Sequence, residues 1–323
     1  ACLGIDGANG SMDRGILDRT FRNLLTDGAG NMHLAEISID KLWNFESPTG
    51  LQGLIELRAF ETMPRVEDQS LCALFVRAVV AMLAEHPYDK PLLRHGTKLH
   101  DRFMLPAALD EDLARVCGDL SAAGLHFERD WFDAICQTRF PVLGKLALDK
   151  GEVTVRQALE PWPLMAETAS GGQTSRMVDN STDRIEVSLS SRELLEEMRI
   201  LVNGVSLRFF EIGESLAAGV RYKAAAGWPA LHPHVPIQSP LSIEVVDRAG
   251  AVVAAAQYHF WNPHGPRYRG APRSFEEARA RRVERWRPVR LDGIEVRSPK
   301  APIYSDDSYY TLDLRRQAVM RRG

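Results

Sequence analysis

Ile200-Leu-Val-Asn203-Gly204-Val-Ser-Leu-Arg-Phe-Phe210 runs β-prone residues up to an Asn-Gly pair and away from it again. Asn-Gly suits a two-residue hairpin turn, because both residues tolerate positive φ. The stretch therefore predicts two antiparallel strands. Working outward, Arg184–Leu189 and Leu216–Ala224 alternate in the same way. Leu241–Phe260 predicts a second hairpin, turning at Asp247-Arg248-Ala249-Gly250. This half of the chain reads as a β-rich, sandwich-like domain or a curled sheet.

The N-terminal half has a different rhythm. Apolar residues recur at helical spacing over Ile16–Leu25, Ser70–His86, Asp110–Ala123 and Arg129–Gln137. Two strands are expected at Leu34–Leu42 and Gly53–Phe60, with Asp27–Asn31 as a turn before them. Arg139–Gln157 alternates weakly, and Ala169–Ser181, with Gly171-Gly172, reads as a polar loop. Ser274–Trp286 is an Arg-rich helix, and the tail past Pro288 reads as extended or partly ordered. The fold class is α+β. The expected division is a leader at 1–15, a helix-and-strand domain at 16–165, a β-rich domain at 166–288 and a basic tail at 289–323.

Composition sets bounds on function. The 323 residues are 45% hydrophobic and 26% charged, an ordinary globular balance. The longest apolar run, Leu71–Ala84, is broken by Arg77 and is too short to span a bilayer. No secretory leader is recognisable, so a cytoplasmic location is expected. Cys2, Cys72, Cys117 and Cys136 are widely spaced and read as small hydrophobes in a reducing compartment. Net charge is −3, yet Lys and Arg outnumber Asp and Glu by 15 to 8 from His264 onward. A basic end on an acidic body predicts that it folds back or meets an acidic partner. Nucleic acid is not the expected partner, since no recognition motif is present.

The sharpest chemical feature is Gly53-Leu-Ile-Glu56-Leu-Arg58-Ala-Phe60. On a strand, Glu56 and Arg58 share a face. A carboxylate there can hold a divalent cation while the guanidinium neutralises phosphate oxygens. An ion pair on a solvated sheet face is the alternative. Glu36, facing Glu56 across adjacent antiparallel strands, would complete a two-carboxylate cradle suited to Mg2+. With a strand beginning near His33, His33 and Glu36 face opposite sides and do not share a metal, and only a helical turn would bring them together. Arg94 and Arg102, in a segment dense in polar groups that includes His95 and His100, could bind an anion. No Walker A loop, G-x-G-x-x-G, G-x-S-x-G or H-E-x-x-H occurs.

Several of these segments together resemble a known family. Phe21-Arg-Asn-Leu-Leu, Asn31-Met-His33, Glu36-Ile-Ser-Ile-Asp40-Lys41-Leu, Gly53–Glu61 and Leu99-His-Asp-Arg-Phe-Met-Leu-Pro106 are similar to the C-terminal region of the large bacterial transglutaminase-associated amidoligases. Arg156–Trp162, Gly171-Gly172, Val178-Asp179, Ala218–Tyr222 and Leu231-His-Pro233 follow in order. The resemblance covers about Ile16 to Trp286. It implies a partial glutamine-synthetase-like catalytic domain in residues 16–165. It also implies ATP and Mg2+, with Glu56 and Glu36 on metal and Arg58 on nucleotide phosphate; Arg94 and Arg102 are counted as cofactor-binding on their residue types, with a solvated loop as the alternative. Glu36 and Arg58 are the implied catalytic residues.

The activity implied is ATP-dependent joining of a carboxylate and an amine through an acyl phosphate. Two departures stand out. The family's Gly-rich Asn-His segment has no counterpart here, which implies a C-terminal portion, inactive alone. Leu34 also follows His33 where the family tends to have Arg. Two other classes stay open: an interaction module docking a transglutaminase-like domain or an acidic partner, and a metal-dependent hydrolase using Glu36, Glu56 and the His95/His100 segment.

Overall fold

A computed structural model describes residues 37–91, 93–170, 173–226, 230–260, 268–293, 295–306 and 308–319, together with Ile16, Thr20 and Phe21. The chain divides into two compact units. One comprises residues 1–63 and 164–177, the other 64–163 and 178–323.

In chain order, β1 (Ile37–Ser38) pairs antiparallel with β2 (Glu56–Leu57). The strands expected over 34–42 and 53–60 thus shorten to two residues each among the described ones. Helix α1 (Val66–Glu85) follows, then a one-turn α2 (Leu99–Arg102), α3 (Pro106–Ala122) and α4 (Asp133–Arg139). The sequence placed the start of α3 at the acidic Asp110, but it begins at Pro106. Proline is favoured in a first turn, where its missing N–H leaves nothing unpaired. The weakly alternating Arg139–Gln157 is a full hairpin, β3 (Val142–Leu148) and β4 (Gly151–Gln157). The expected polar loop is also strand, β5 (Leu164–Ser170) pairing with β6 (Gln173–Val178). Gly171 and Gly172 lie outside the described residues.

Strand β7 (Thr182–Leu189) leads through α5 (Glu193–Glu197) to β8 (Met198–Val202) and β9 (Val205–Ser206). Their turn is Asn203 and Gly204, at φ 49° and 74°, the paired positive angles a type I′ hairpin needs. Then come β10 (Phe210–Ile212), β11 (Ser215–Lys223), β12 (Leu241–Asp247) and β13 (Val252–Tyr258). Helix α6 (Phe275–Val283) is capped by the Ser274 hydroxyl, which accepts from Glu277 N at 3.2 Å. The chain ends through β14 (Trp286–Pro288), β15 (Thr311–Asp313) and α7 (Leu314–Val319).

In the larger unit two sheets share one core. One sheet runs β10-β11-β7-β4-β3, and the other β14-β13-β12-β8-β9. Val153, Val155, Ile185, Val187 and Val220 of the first meet Ile200, Ile243, Val245 and Ala256 of the second, all essentially inaccessible. Thr311–Asp313 joins the first sheet parallel to β11, and Leu312 and Leu314 enter the same core. The tail expected to be extended therefore completes the sheet. A separate cluster packs α1 and α3 around Phe75, Phe127 and Phe132, with edge-on ring pairs 5.4 and 4.9 Å apart. Cys72 and Cys117 are buried free thiols, and burial raises the pKa of both. Among the described residues no helix is long and apolar enough to cross a membrane.

Candidate functional site

In the smaller unit, the chain between β1 and β2 folds on itself. Asn44 N donates to Gly50 O at 3.0 Å and Gln52 N to Lys41 O at 3.0 Å. This return brings Glu56 into register with Ser38, and Leu57 with Ile37. The expected antiparallel pairing is present, but Glu56 lies opposite Ser38. Glu36 falls outside the described residues, as does His33. Arg58 Nη2 donates to Glu56 Oε2 at 3.1 Å, so the two side chains do project together. Glu56 is 47% exposed and Arg58 21%. The hydrogen bond to Glu56 raises the Arg58 pKa, with a smaller contribution from Asp40.

The arginines expected to bind an anion have separate fates in the larger unit. Arg94 is exposed. Arg102 donates to Glu111 Oε2 at 2.5 Å, and its guanidinium lies 5.3 Å from the Phe103 ring centre. The His95 ring lies tilted against Phe103, with centroids 4.5 Å apart. Among the described residues no group of three or more His, Cys, Asp or Glu side chains is placed to hold a metal ion.

The larger unit contains a polar cluster that the sequence reading missed. Strand alternation sends Ile185, Val187 and Leu189 into the sandwich and Arg184 and Glu186 to the other face. Arg184 and Arg221 are cross-strand partners there. Both reach Glu160, Arg184 Nε at 3.1 Å and Arg221 Nε at 2.8 Å. Arg184 Nη1 also donates to the backbone oxygens of His100 and Asp101 at 3.0 and 3.1 Å. Asp101 Oδ2 in turn accepts from Tyr310 N at 2.7 Å. On β15, Asp313 takes a two-pronged contact from Arg315, at 3.0 and 2.8 Å. These bonds tie the 99–105 segment, the sheet and the chain's end together.

The cluster is electrostatically demanding. Arg184 is fully buried, and among the described residues its Nη2 has no hydrogen-bond partner. Burial pushes the Glu160 carboxyl above its usual range, although Arg221 opposes the shift. Glu186 accepts from Ala107 N at 2.9 Å and so caps α3 from the sheet. Burial lifts its pKa to about 7. The sequence carries part of the signal for this cluster, the alternation but not the covering of the outer face. Arg184 and Glu186 alternate with Ile185 and Val187, a pattern that requires both faces of a central strand to be considered.

No curated protein and no solved structure matches the chain. Residues 3–315 match the family described as "Putative amidoligase enzyme (DUF2126)". The match takes in both units and nearly the whole sequence, so the chain belongs to that amidoligase family.

Proposed function

We propose that this protein acts in ATP-dependent ligation of a carboxylate to an amine, with a glutamine-synthetase-like site that includes Glu56 and Arg58. The observation that carries the proposal is their 3.1 Å contact on one side of β2, both solvent-accessible. Family membership supplies the reaction class. The residues present fit the nucleotide's phosphate end. Mg2+ is commonly held by one or two carboxylates plus substrate phosphates and water, so a prebuilt protein cage is not required. Glu56 would hold the ion, with Glu36 as the second carboxylate. Bound Mg-ATP supplies the phosphoryl group that activates the carboxylate, and Mg2+ offsets charge on the phosphates.

The chain's own contribution is electrostatic. Arg58 stays charged at any working pH and presents a planar fork to phosphate oxygens. Its present bond to Glu56 holds the guanidinium in place before a ligand arrives, which reduces the ordering cost of binding.

Isothermal titration with Mg-ATP tests the proposal. Saturable binding is expected, weakened at least about tenfold by Glu56→Gln and by Arg58→Gln, the loss of one charge-assisted contact. Absence of binding, or binding indifferent to both substitutions, overturns it.

A further inference from the structure

Several arginines near the C-terminal end have carboxylates. Arg281 pairs with Glu277, Arg297 with Glu244 and Glu295, Arg290 with Asp292, and Arg315 with Asp313. Arg279, Arg282 and Arg285, like Arg269, Arg273 and Arg287, make no ion pair among the described residues, and they are set apart by gathering about the last turn of α6. Arg279 and Arg282 stand one turn apart on α6, the spacing that brings side chains onto a shared surface. Arg285 is drawn back against the same turn, its Nε donating to Arg281 O at 3.2 Å.

The nearby acids are committed elsewhere. Glu277 serves Arg281 and Arg273 N, and Glu284 accepts from the Tyr268 hydroxyl at 2.9 Å. Glu276 lies near Arg279 but outside ion-pair contact, and Asp183, which senses Arg285, is buried and accepts from Gln157 Nε2. The sequence has no Asp or Glu between Asp247 and Glu276. The C-terminus of α6 offers the equivalent of about half a negative charge against three guanidinium charges. Arg282 is half-buried, so water compensates it only in part. Burial and the charges of Arg285 and Arg279 accordingly lower its pKa, the opposite of Arg297 and Arg315 with their carboxylates.

We infer that Arg279, Arg282 and Arg285 form a binding site for a phosphate group, separate from Glu56 and Arg58. Phosphate fits better than carboxylate for two reasons. A phosphate monoester brings close to two negative charges and three acceptor oxygens, which answers several guanidiniums at once. Guanidinium groups also match its oxygens two at a time. The phosphate could be a single ester or part of a phosphoanhydride chain.

Isothermal titration of the intact protein at low salt, with inorganic phosphate, tripolyphosphate and citrate as probes, tests this site. Phosphate or tripolyphosphate should bind, with at least about tenfold weakening in Arg282→Gln and Arg279→Gln. Orthophosphate binding identifies a single-phosphate site, and binding of tripolyphosphate alone identifies a phosphoanhydride site. Arg287→Gln should leave the affinity unchanged, and titrations repeated in an Arg58→Gln background keep the proposed nucleotide site out of the reading. Arg279 is exposed, so its substitution leaves folding intact, as circular dichroism would verify. Failure of both phosphate probes to bind, equal affinity in Arg282→Gln, or citrate binding as tightly as phosphate overturns the inference.

Discussion

Arg184 and Arg221 face each other across β7 and β11, and both guanidiniums close on the single carboxylate of Glu160. Two like charges directly opposite on a sheet repel, so this pairing depends on the acid between them. The arrangement is weak evidence for net stability, since desolvation offsets much of the attraction. It is strong evidence for position, because it holds the backbone of His100 and Asp101 against the sheet.

Removing the shared acid should therefore be costly. Glu160→Ala leaves the buried Arg184 guanidinium without its carboxylate and Arg221 with only Asp313, 4.0 Å away, and a loss of about 3–5 kcal/mol is expected. Urea unfolding measures it, with Glu160→Gln retaining part of the hydrogen bonding. A loss below about 1 kcal/mol for Glu160→Ala would show that Arg184 and Arg221 find other partners.

Stability should depend on pH through Glu186. Its pKa rises from 4.5 to about 7 on folding, so the folded state holds the proton more tightly. The resulting stabilisation is complete below pH 4.5 and is lost as pH rises through 7. Glu186→Gln keeps an acceptor for Ala107 N but cannot ionise. Unfolding free energies at pH 5 and 8 should differ less in this variant, by on the order of 3 kcal/mol. Identical pH profiles would mean that Glu186 titrates normally.

What was legible in the sequence was local. Asn203-Gly204 and Asp247–Gly250 carry their turns in their own backbone preferences, so both hairpins could be read directly. The start of α3 was misplaced because its cap is Glu186, 79 residues from Ala107. β15 was invisible for a related reason: three residues have no periodicity, and only β11 makes Thr311–Asp313 a strand. The Glu56–Arg58 pairing followed from period two alone. The Glu160 cluster did not, because a charged position in a strand does not show whether its face is covered.

Gly219 shows how closely β15 and the 99–105 segment press on β11. A Cβ there would lie 2.5 Å from Thr311 Oγ1 and 2.9 Å from Leu105 Cδ2. Gly219→Val should cost about 1–3 kcal/mol by overpacking. Hydrogen exchange should also quicken at the Gly219 amide itself, which donates to Tyr310 O at 2.9 Å. Unchanged exchange there would mean that β15 yields without leaving the sheet.

Deleting residues 289–323 is the obvious way to ask whether the basic end docks an acidic partner, but it would mislead. Leu312 and Leu314 are 0% and 2% exposed in the sandwich core, so the deletion removes core as well as charge. Leu312→Ala alone should cost about 2–5 kcal/mol in urea unfolding. Arg290→Gln, whose 3.3 Å pair with Asp292 is almost wholly in water, should change stability by less than about 0.5 kcal/mol. Partner capture should therefore be compared between Arg290→Gln and Leu312→Ala. Loss in the first with folding intact would identify docking through surface charge. Loss only in the second would trace the effect to a sandwich that needs its last strand.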